Sequence, residues 1–378
     1  MASLKELIMN LIFDGIVFRH HPIGGVARYF NEILTRMCAM DDEFKFTFMS
    51  PWELTKMVWL EDVAESIIKV PPFSRLTHKI ESFRRIGEEL ETFSARCMSG
   101  IGNDAIWHST YNTIPQVWPG MKVATIHDLI YEIFPHLYPG PFGDKVRSDQ
   151  RRAAETADAI ICISETTRRD ALNFYDIDEK STHVTYLGVT DNFKNDYKCG
   201  TKENADNPFI LFVGERKGYK NFSCLLDAFS KWEKRDEIKL IAVGKPWDYE
   251  EETYITDNGI SKRVEAISSI SDDELSGLYA ASEAVVHTSL YEGFGFPIVE
   301  AMAKGSKLVA SDIPTTREIA GDIPIYFDQN DSTSLIDALT IAVEKQLSEK
   351  EINDIKKHAF QYNWDNTAME TIKVYKSL

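Results

Sequence analysis

The residues of this chain best suited to chemistry are two glutamates, Glu292 and Glu300. They flank a Gly-Phe-Gly-Phe-Pro bend in "HTSLYEGFGFPIVEAMAKGS" (287–306). Two carboxylates so placed admit two chemistries. They could act as a general acid and base, or accept hydrogen bonds from paired hydroxyls such as those of a sugar or a ribose. The plain alternative is a Glu300 that caps a helix and a Glu292 in solvent. A second cluster, "FVGERKGYKNF" (212–222), gathers Arg216, Lys217 and Lys220 beside Gly214 and Gly218. Arg grips phosphate oxygens through a fork and Lys acts as a point charge, so these cations suit an anionic ligand. The stretch is not a P-loop, because GxxxxGK[ST] is absent.

Two further clusters lie in the first half. Gly24 and Gly25 in "PIGGVARYF" (22–30) precede a helical pattern. Backbone without a Cβ lets a ligand approach closely, and a helix N-terminus favours an anion. A plain strand-to-helix turn would read the same. This is not a GxGxxG fingerprint, which disfavours a nicotinamide cofactor. His127, followed by Asp128 in "VATIHDLIYEIFP" (123–135), could offer a hydrogen bond to a sugar hydroxyl or merely cap a loop. No second His or Cys set at ligand spacing accompanies it, so no metal is expected.

These clusters need elements to position them. Short apolar runs alternate with longer amphipathic ones. "LIFDGIVF", "KFTFMS", "AIWHST", "KVATIHD", "AIICIS" and "HVTYLGV" read as strands of a first set. "FILFVG", "IKLIAVG", "VEAIS", "AVVHTS", "KLVAS" and "IPIYFD" read as a second. Helical segments such as "GGVARYFNEILTRMCAM", "NFSCLLDAFSKWEKR" and "SDDELSGLYAAS" lie between them. The expected class is α/β, two doubly wound Rossmann-like domains with parallel sheets. Ligands in such sheets bind beyond the carboxyl ends of the strands, where all four clusters fall. In the opening stretch Pro297 suits the first helical position and Gly305 the end, which puts Glu300 in the first turn. The amides of Gly293 and Gly295, with Phe294 between them, could face an anion.

The chain of 378 residues is too long for one compact core. The polar stretch 191–208 is the expected boundary, giving domains at 1–195 and 205–358. The last stretch, from 348, reads as one or two helices. A net charge of −17 argues against a nucleic-acid surface. Five cysteines without a CxxC pair argue against a disulfide framework and suit reduced thiols in the cytoplasm. No signal peptide is evident, and no run reaches the roughly 18 apolar residues of a spanning helix. One stretch is locally basic: 69–85 carries Lys69, Arg75, Lys79, Arg84 and Arg85 against Glu81. It could be a solvated helix face, or it could meet a lipid diphosphate or an anionic membrane surface.

The combination resembles glycosyltransferase family 4, the retaining GT-B enzymes. The family's E-x7-E motif is matched by Glu292 and Glu300 in "EGFGFPIVEA", and "VGERKGYKN", "GGVARYF", "TIHD" and "SDIPTTREIAG" accompany it across nearly the whole chain. The resemblance implies two Rossmann-like domains facing a cleft, with a final helix from about residue 360 to 378 returning to the N-terminal domain. It implies a nucleotide-sugar donor on the C-terminal domain and a glycan or lipid-linked acceptor on the N-terminal one. Arg216 and Lys220 match the pair that holds the donor diphosphate. Their spacing is tighter than in some members, which leaves Lys217 as a competitor to Arg216. Glu300 matches the acid that accepts from the ribose, Glu292 the acid near the transferred sugar, and His127 the histidine that reaches it. Gly24 and Gly25 match the glycine loop near the diphosphate. The expected activity is retaining hexosyl transfer, with mannose from GDP-mannose as the first choice of donor, in polysaccharide biosynthesis. No cofactor or metal is expected, since no convincing DxD metal motif is present. A phosphorylase, a nucleotide-sugar epimerase or a silent sugar-nucleotide-binding protein could use the same cleft.

Overall fold

In a computed structural model, the structure describes residues 9–20, 24–40, 44–51, 66–70, 104–115, 118–194 and 208–378. Most of the basic stretch 69–85, most of the expected boundary, Cys97 and Cys199 lie outside them. Cys38, Cys162 and Cys224 are free thiols. Among the described residues no helix is long and apolar enough to cross a membrane.

The chain divides into two compact units. One holds residues 1–187 with 364–378, and the other holds 188–363. In the first, seven strands form one sheet in the order β3-β2-β1-β4-β5-β6-β7. They are β1 (Met9–Phe13), β2 (Phe44–Pro51), β3 (Ser66–Val70), β4 (Ile106–Ser109), β5 (Lys122–Ile126), β6 (Ala159–Cys162) and β7 (Thr182–Val184). In the second, six strands run in the order β10-β9-β8-β11-β12-β13. They are β8 (Phe209–Val213), β9 (Lys239–Val243), β10 (Val264–Ile267), β11 (Ala284–His287), β12 (Leu308–Ser311) and β13 (Ile325–Phe327). Every pairing between neighbours is parallel. Strands covered on both faces are apolar along most of their length, as "AVVH" and "LVAS", buried at every position, are up to their last residue.

The expected class holds, with differences at several ends. "LIFDGIVF" is not one strand. β1 stops at Phe13, Gly15 takes φ 63°, and Ile16–His20 is helical. The buried Asp14 carboxylate makes the break, accepting from the amides of Ile16 (3.1 Å) and Thr110 (3.1 Å) and from the Thr110 and Thr113 hydroxyls. β3 was not among the expected strands. Asp191–Lys194, inside the polar stretch, is a short helix of the second unit.

The helix Gly25–Met40 buries Tyr29, Phe30, Ile33, Leu34 and Met37. The last stretch forms two helices, Glu349–Ala359 in the second unit and Trp364–Lys376 in the first. The latter packs on the helix Gly25–Met40, where Asp365 accepts from Arg36 Nε at 2.9 Å. Its Tyr375 hydroxyl bonds the buried His108, whose Nε2 contacts Thr125 Oγ1 at 2.8 Å.

In the second unit the helix Phe222–Lys231 buries Phe222, Leu225, Leu226 and Phe229 against β8, β9 and β11, where Ile210, Leu240 and Val286 lie. The helix Phe296–Ala303 opens on Gly295, whose φ of 95° is a left-handed entry that a β-carbon resists. A β-carbon there would also stand 2.9 Å from Ile298 Cδ1. The helix starts one residue earlier than Pro297 suggests, so Glu300 is its fifth residue and lies past the first turn.

Candidate functional site

In the second unit, Lys220 and Glu292 come together. Lys220 lies in the 3-10 turn Gly218–Lys220 after β8, between Gly218 (φ 60°) and Asn221 (φ 53°). Two bonds tie this turn to the loop after β11. Thr288 Oγ1 donates to the Lys220 carbonyl at 2.7 Å, and the Leu290 amide donates to the Tyr219 carbonyl at 2.7 Å. Lys220 Nζ thereby stands 2.6 Å from Glu292 Oε1. The Ser289 hydroxyl also donates to that oxygen at 2.6 Å, and His287 Nε2 lies 3.2 Å from it. The backbone carbonyl of Glu292 accepts from Thr315 Oγ1 at 2.6 Å.

Glu292 is buried, not exposed. Burial alone would raise its pKa. The Lys220 charge and the His287 hydrogen bond outweigh that and hold its carboxyl far below the usual carboxylate range. A group so locked in its ionised form is a poor general acid.

Glu300 is buried as well, and its Oε2 accepts from the buried Tyr279 hydroxyl at 2.9 Å. Gly293, Phe294 and Gly295 form the loop between the two glutamates. The Phe294 ring does not line that loop's polar side. It is buried edge-on to Phe296 (6.0 Å) and Tyr362 (5.6 Å), so any ligand contact from this residue falls to its backbone.

Arg216, expected to hold the donor diphosphate together with Lys220, is bonded to protein groups in this structure. Its Nε and Nη2 bond the two oxygens of Glu251 at 2.8 and 2.9 Å. Nη1 donates to the Lys245 carbonyl and Nη2 to that of Pro246, both at 2.7 Å. Its side chain is 5% exposed, whereas Lys217, paired with Asp248 at 3.0 Å, is 76% exposed. Gly214 ends β8 with φ 135°, and a β-carbon there would meet open space.

In the first unit, His127 follows β5 at the carboxyl end of the sheet. Its ring packs against Tyr29 (5.1 Å) and Phe30 (6.2 Å) of the helix Gly25–Met40. Nε2 is buried with no hydrogen-bond partner among the described residues. Burial pushes its pKa down to about 3, so the imidazole is uncharged at neutral pH. Gly24 accepts from the Arg28 amide at 3.0 Å, and Gly25 is the first residue of the helix. Asp128 caps the following turn through the Ile130 amide at 3.1 Å.

The expected set missed His287, Ser289, Tyr279 and Glu251. A signal existed for the first two: "HTS" places a histidine and two hydroxyls at the end of an otherwise apolar strand. Among the described residues no group of three or more His, Cys, Asp and Glu could hold a metal ion.

Comparison with known proteins gives the same division. The family model "Glycosyltransferase Family 4" matches residues 23–193, and "Glycosyl transferases group 1" matches 193–361. The chain is 24% identical to the O-antigen chain mannosyltransferase B of Escherichia coli, over 98% of this chain and 100% of that protein. It is 26% identical to the O-antigen chain mannosyltransferase RfbU of Salmonella typhimurium, over 82% and 84%. Among solved structures, Anabaena HepE in complex with UDP and glucose superposes with a TM-score of 0.74 at 18% identity, over 98% of this chain and 100% of that one. With one family model on each parallel-sheet unit and the two meeting at residue 193, the chain belongs to glycosyltransferase family 4, the glycosyl transferases of group 1, and has the GT-B fold.

Proposed function

We propose that this glycosyltransferase moves a mannosyl residue, with retention, from a nucleoside diphosphate sugar to a growing glycan or lipid-linked acceptor. The observation that carries the reading is the pair of Lys220 and the buried Glu292 at the carboxyl end of the second sheet, with His287 and Ser289 on the same oxygen. The names of the two O-antigen mannosyltransferases support the sugar and the acceptor class. The UDP and glucose bound by HepE support a nucleotide-sugar donor.

Breaking the bond between sugar and diphosphate develops negative charge on the leaving group and positive charge on the sugar. Lys220 stabilises the leaving diphosphate from a fixed position. Glu292, held ionised, orients the sugar hydroxyls. Glu300 accepts from the ribose diol. His127 offers an uncharged imidazole to a sugar hydroxyl. The acceptor attacks on the face the diphosphate leaves, and a phosphate oxygen takes its proton. No divalent cation enters this scheme, and turnover in excess EDTA should match turnover without it.

Thermal-shift measurements with GDP-mannose, UDP-glucose and ADP-glucose test the donor, since a ligand of the native state raises its melting point. GDP-mannose should give the largest shift. Product analysis with a labelled donor should then show an axial anomeric bond kept in the product. An unchanged melting point with every donor, or an inverted product, would overturn the reading.

A further inference from the structure

The loops after β8, β9 and β10 enclose a second feature of the same unit. A cavity of about 570 Å³ opens between them, lined by residues that include Gly214, Lys217, Gly244, Asp248 and Ser269. Ser269 takes φ 58°, a costly conformation for a residue with a side chain. Arg216 lines the same cavity, yet its hydrogen bonds run into the wall. The guanidinium stacks 4.6 Å from the Trp247 ring and 5.6 Å from that of Phe222. Its partner Glu251 is itself fixed: Oε2 also accepts from the Asp248 amide at 2.9 Å, completing the capping box of the helix Tyr249–Asp257. The two loops are pressed together at Gly244, where a β-carbon would stand 2.7 Å from the Gly214 carbonyl oxygen and 3.2 Å from Arg216 Nη1.

One cation thus ties the loop after β8 to two carbonyls and a carboxylate of the loop and helix after β9. Four of the five N–H groups of Arg216 are committed to a carboxylate that is 12% exposed and to two backbone acceptors, which leaves one, on Nη1, instead of a fork for a phosphate. Removing one member of so buried a pair leaves an uncompensated charge. We infer that Arg216 is a positioning residue: with Glu251 and Trp247 it holds the walls of the donor cavity at their spacing, and it leaves the diphosphate to Lys220. This rests on the donor-binding reading above.

The test is calorimetric titration of the full chain with GDP, UDP and ADP and with GMP, UMP and AMP. The variants are Arg216→Met, Glu251→Gln and Lys220→Met. A misplaced wall weakens the nucleoside part, so Arg216→Met and Glu251→Gln should each lose about tenfold in affinity, by the same factor for mono- and diphosphate. Lys220→Met should weaken the diphosphate more than the monophosphate. In turnover, the donor KM of the first two should rise with kcat kept within about threefold, the signature of lost uniform binding. Selective loss of diphosphate affinity in Arg216→Met, without it in Glu251→Gln, would make Arg216 a phosphate ligand and overturn the inference. Wild-type affinity and KM in both variants would reduce the pair to a structural one and overturn it too. If Arg216→Met does not fold by circular dichroism, the near-isosteric Glu251→Gln and Trp247→Leu carry the same comparison. A wild-type chain that binds none of the six nucleotides would sink the donor reading itself, and this inference with it.

Discussion

Lys220 Nζ and Glu292 Oε1 stand 2.6 Å apart, with both side chains largely out of solvent. The pair joins two loops 72 residues apart in sequence, one following β8 and one following β11. β8 and β11 are neighbours in the sheet, with Ala284 beside Ile210 and Val285 beside Leu211. The chain order reverses direction across this contact, the kind of switch point near which open parallel sheets bind their ligands. The carboxylate prepays the desolvation of the ammonium, so the cation is held in place before a donor arrives.

Lys220→Ala should therefore cut turnover by about 10²-fold or more, as loss of a preorganised transition-state donor does. It should also cost about 3–5 kcal/mol of stability, because Glu292 is left charged and buried. The double variant Lys220→Met/Glu292→Gln should recover much of the stability and none of the turnover. Initial rates and denaturant midpoints on the same samples separate the two effects. Near-normal turnover in Lys220→Ala would remove the lysine from the chemistry.

Tyr279 and Glu300 offer a subtler test. The Tyr279 hydroxyl fixes Glu300 Oε2 from inside the unit. Tyr279→Phe removes that donor and keeps the ring, at a cost of about 1–2 kcal/mol. A loosened carboxylate binds a ribose diol less well. The donor KM should rise several-fold while kcat stays near wild type, because the ribose is bound alike in ground and transition states. A donor lacking the ribose 2′-hydroxyl should show a smaller change between wild type and variant. Equal losses for both donors would deny Glu300 a ribose contact.

Much of this could be read from residue types alone, and the reason is physical. Strands buried on both faces must be apolar at successive positions, so "FILFV" and "KLIAV" announce themselves. The end of β1 did not, because apolar residues continue past Gly15 into a helix. The group that stops the strand is Asp14, whose hydroxyl partner Thr110 is 96 residues away. "SIIKV" is too short a run to stand out beside two prolines. At the site, Glu292 and Lys220 were visible as types, but their contact depends on the order of strands in the sheet. The Arg216–Glu251 bond could not be read either, because Glu251 is 35 residues on, in a helix with no mark of that pairing. Charge is legible in sequence, whereas the direction in which a charge points is decided by tertiary neighbours.

His108 supplies a prediction about pH. It is wholly buried between Tyr375 and Thr125, and burial, aided by the nearby His127, lowers its pKa from 6.5 to about 3. Between those values the unfolded chain binds a proton that the folded chain refuses. Its contribution to stability is therefore complete above about pH 6.5 and declines as the pH falls, by about 1.4 kcal/mol per pH unit. Glu292 acts in the same direction but only below its ordinary value of 4.5, whereas the buried Asp14 carboxyl, raised by desolvation, acts in the opposite direction, so the comparison of wild type with a His108 variant isolates the histidine. Over the window from about pH 6.5 to 5 His108 should account for about 2 kcal/mol of lost stability. His108→Gln keeps a side chain that can bond Tyr375 and Thr125 but does not titrate. Denaturant unfolding followed by circular dichroism and by tryptophan fluorescence, to which Trp107 of β4 and Trp118 packed against it contribute, reads the stability. The variant should be less stable at pH 7 yet lose less between pH 6.5 and 5. A variant whose stability falls as steeply as wild type over that window would show that His108 is not the group refusing the proton.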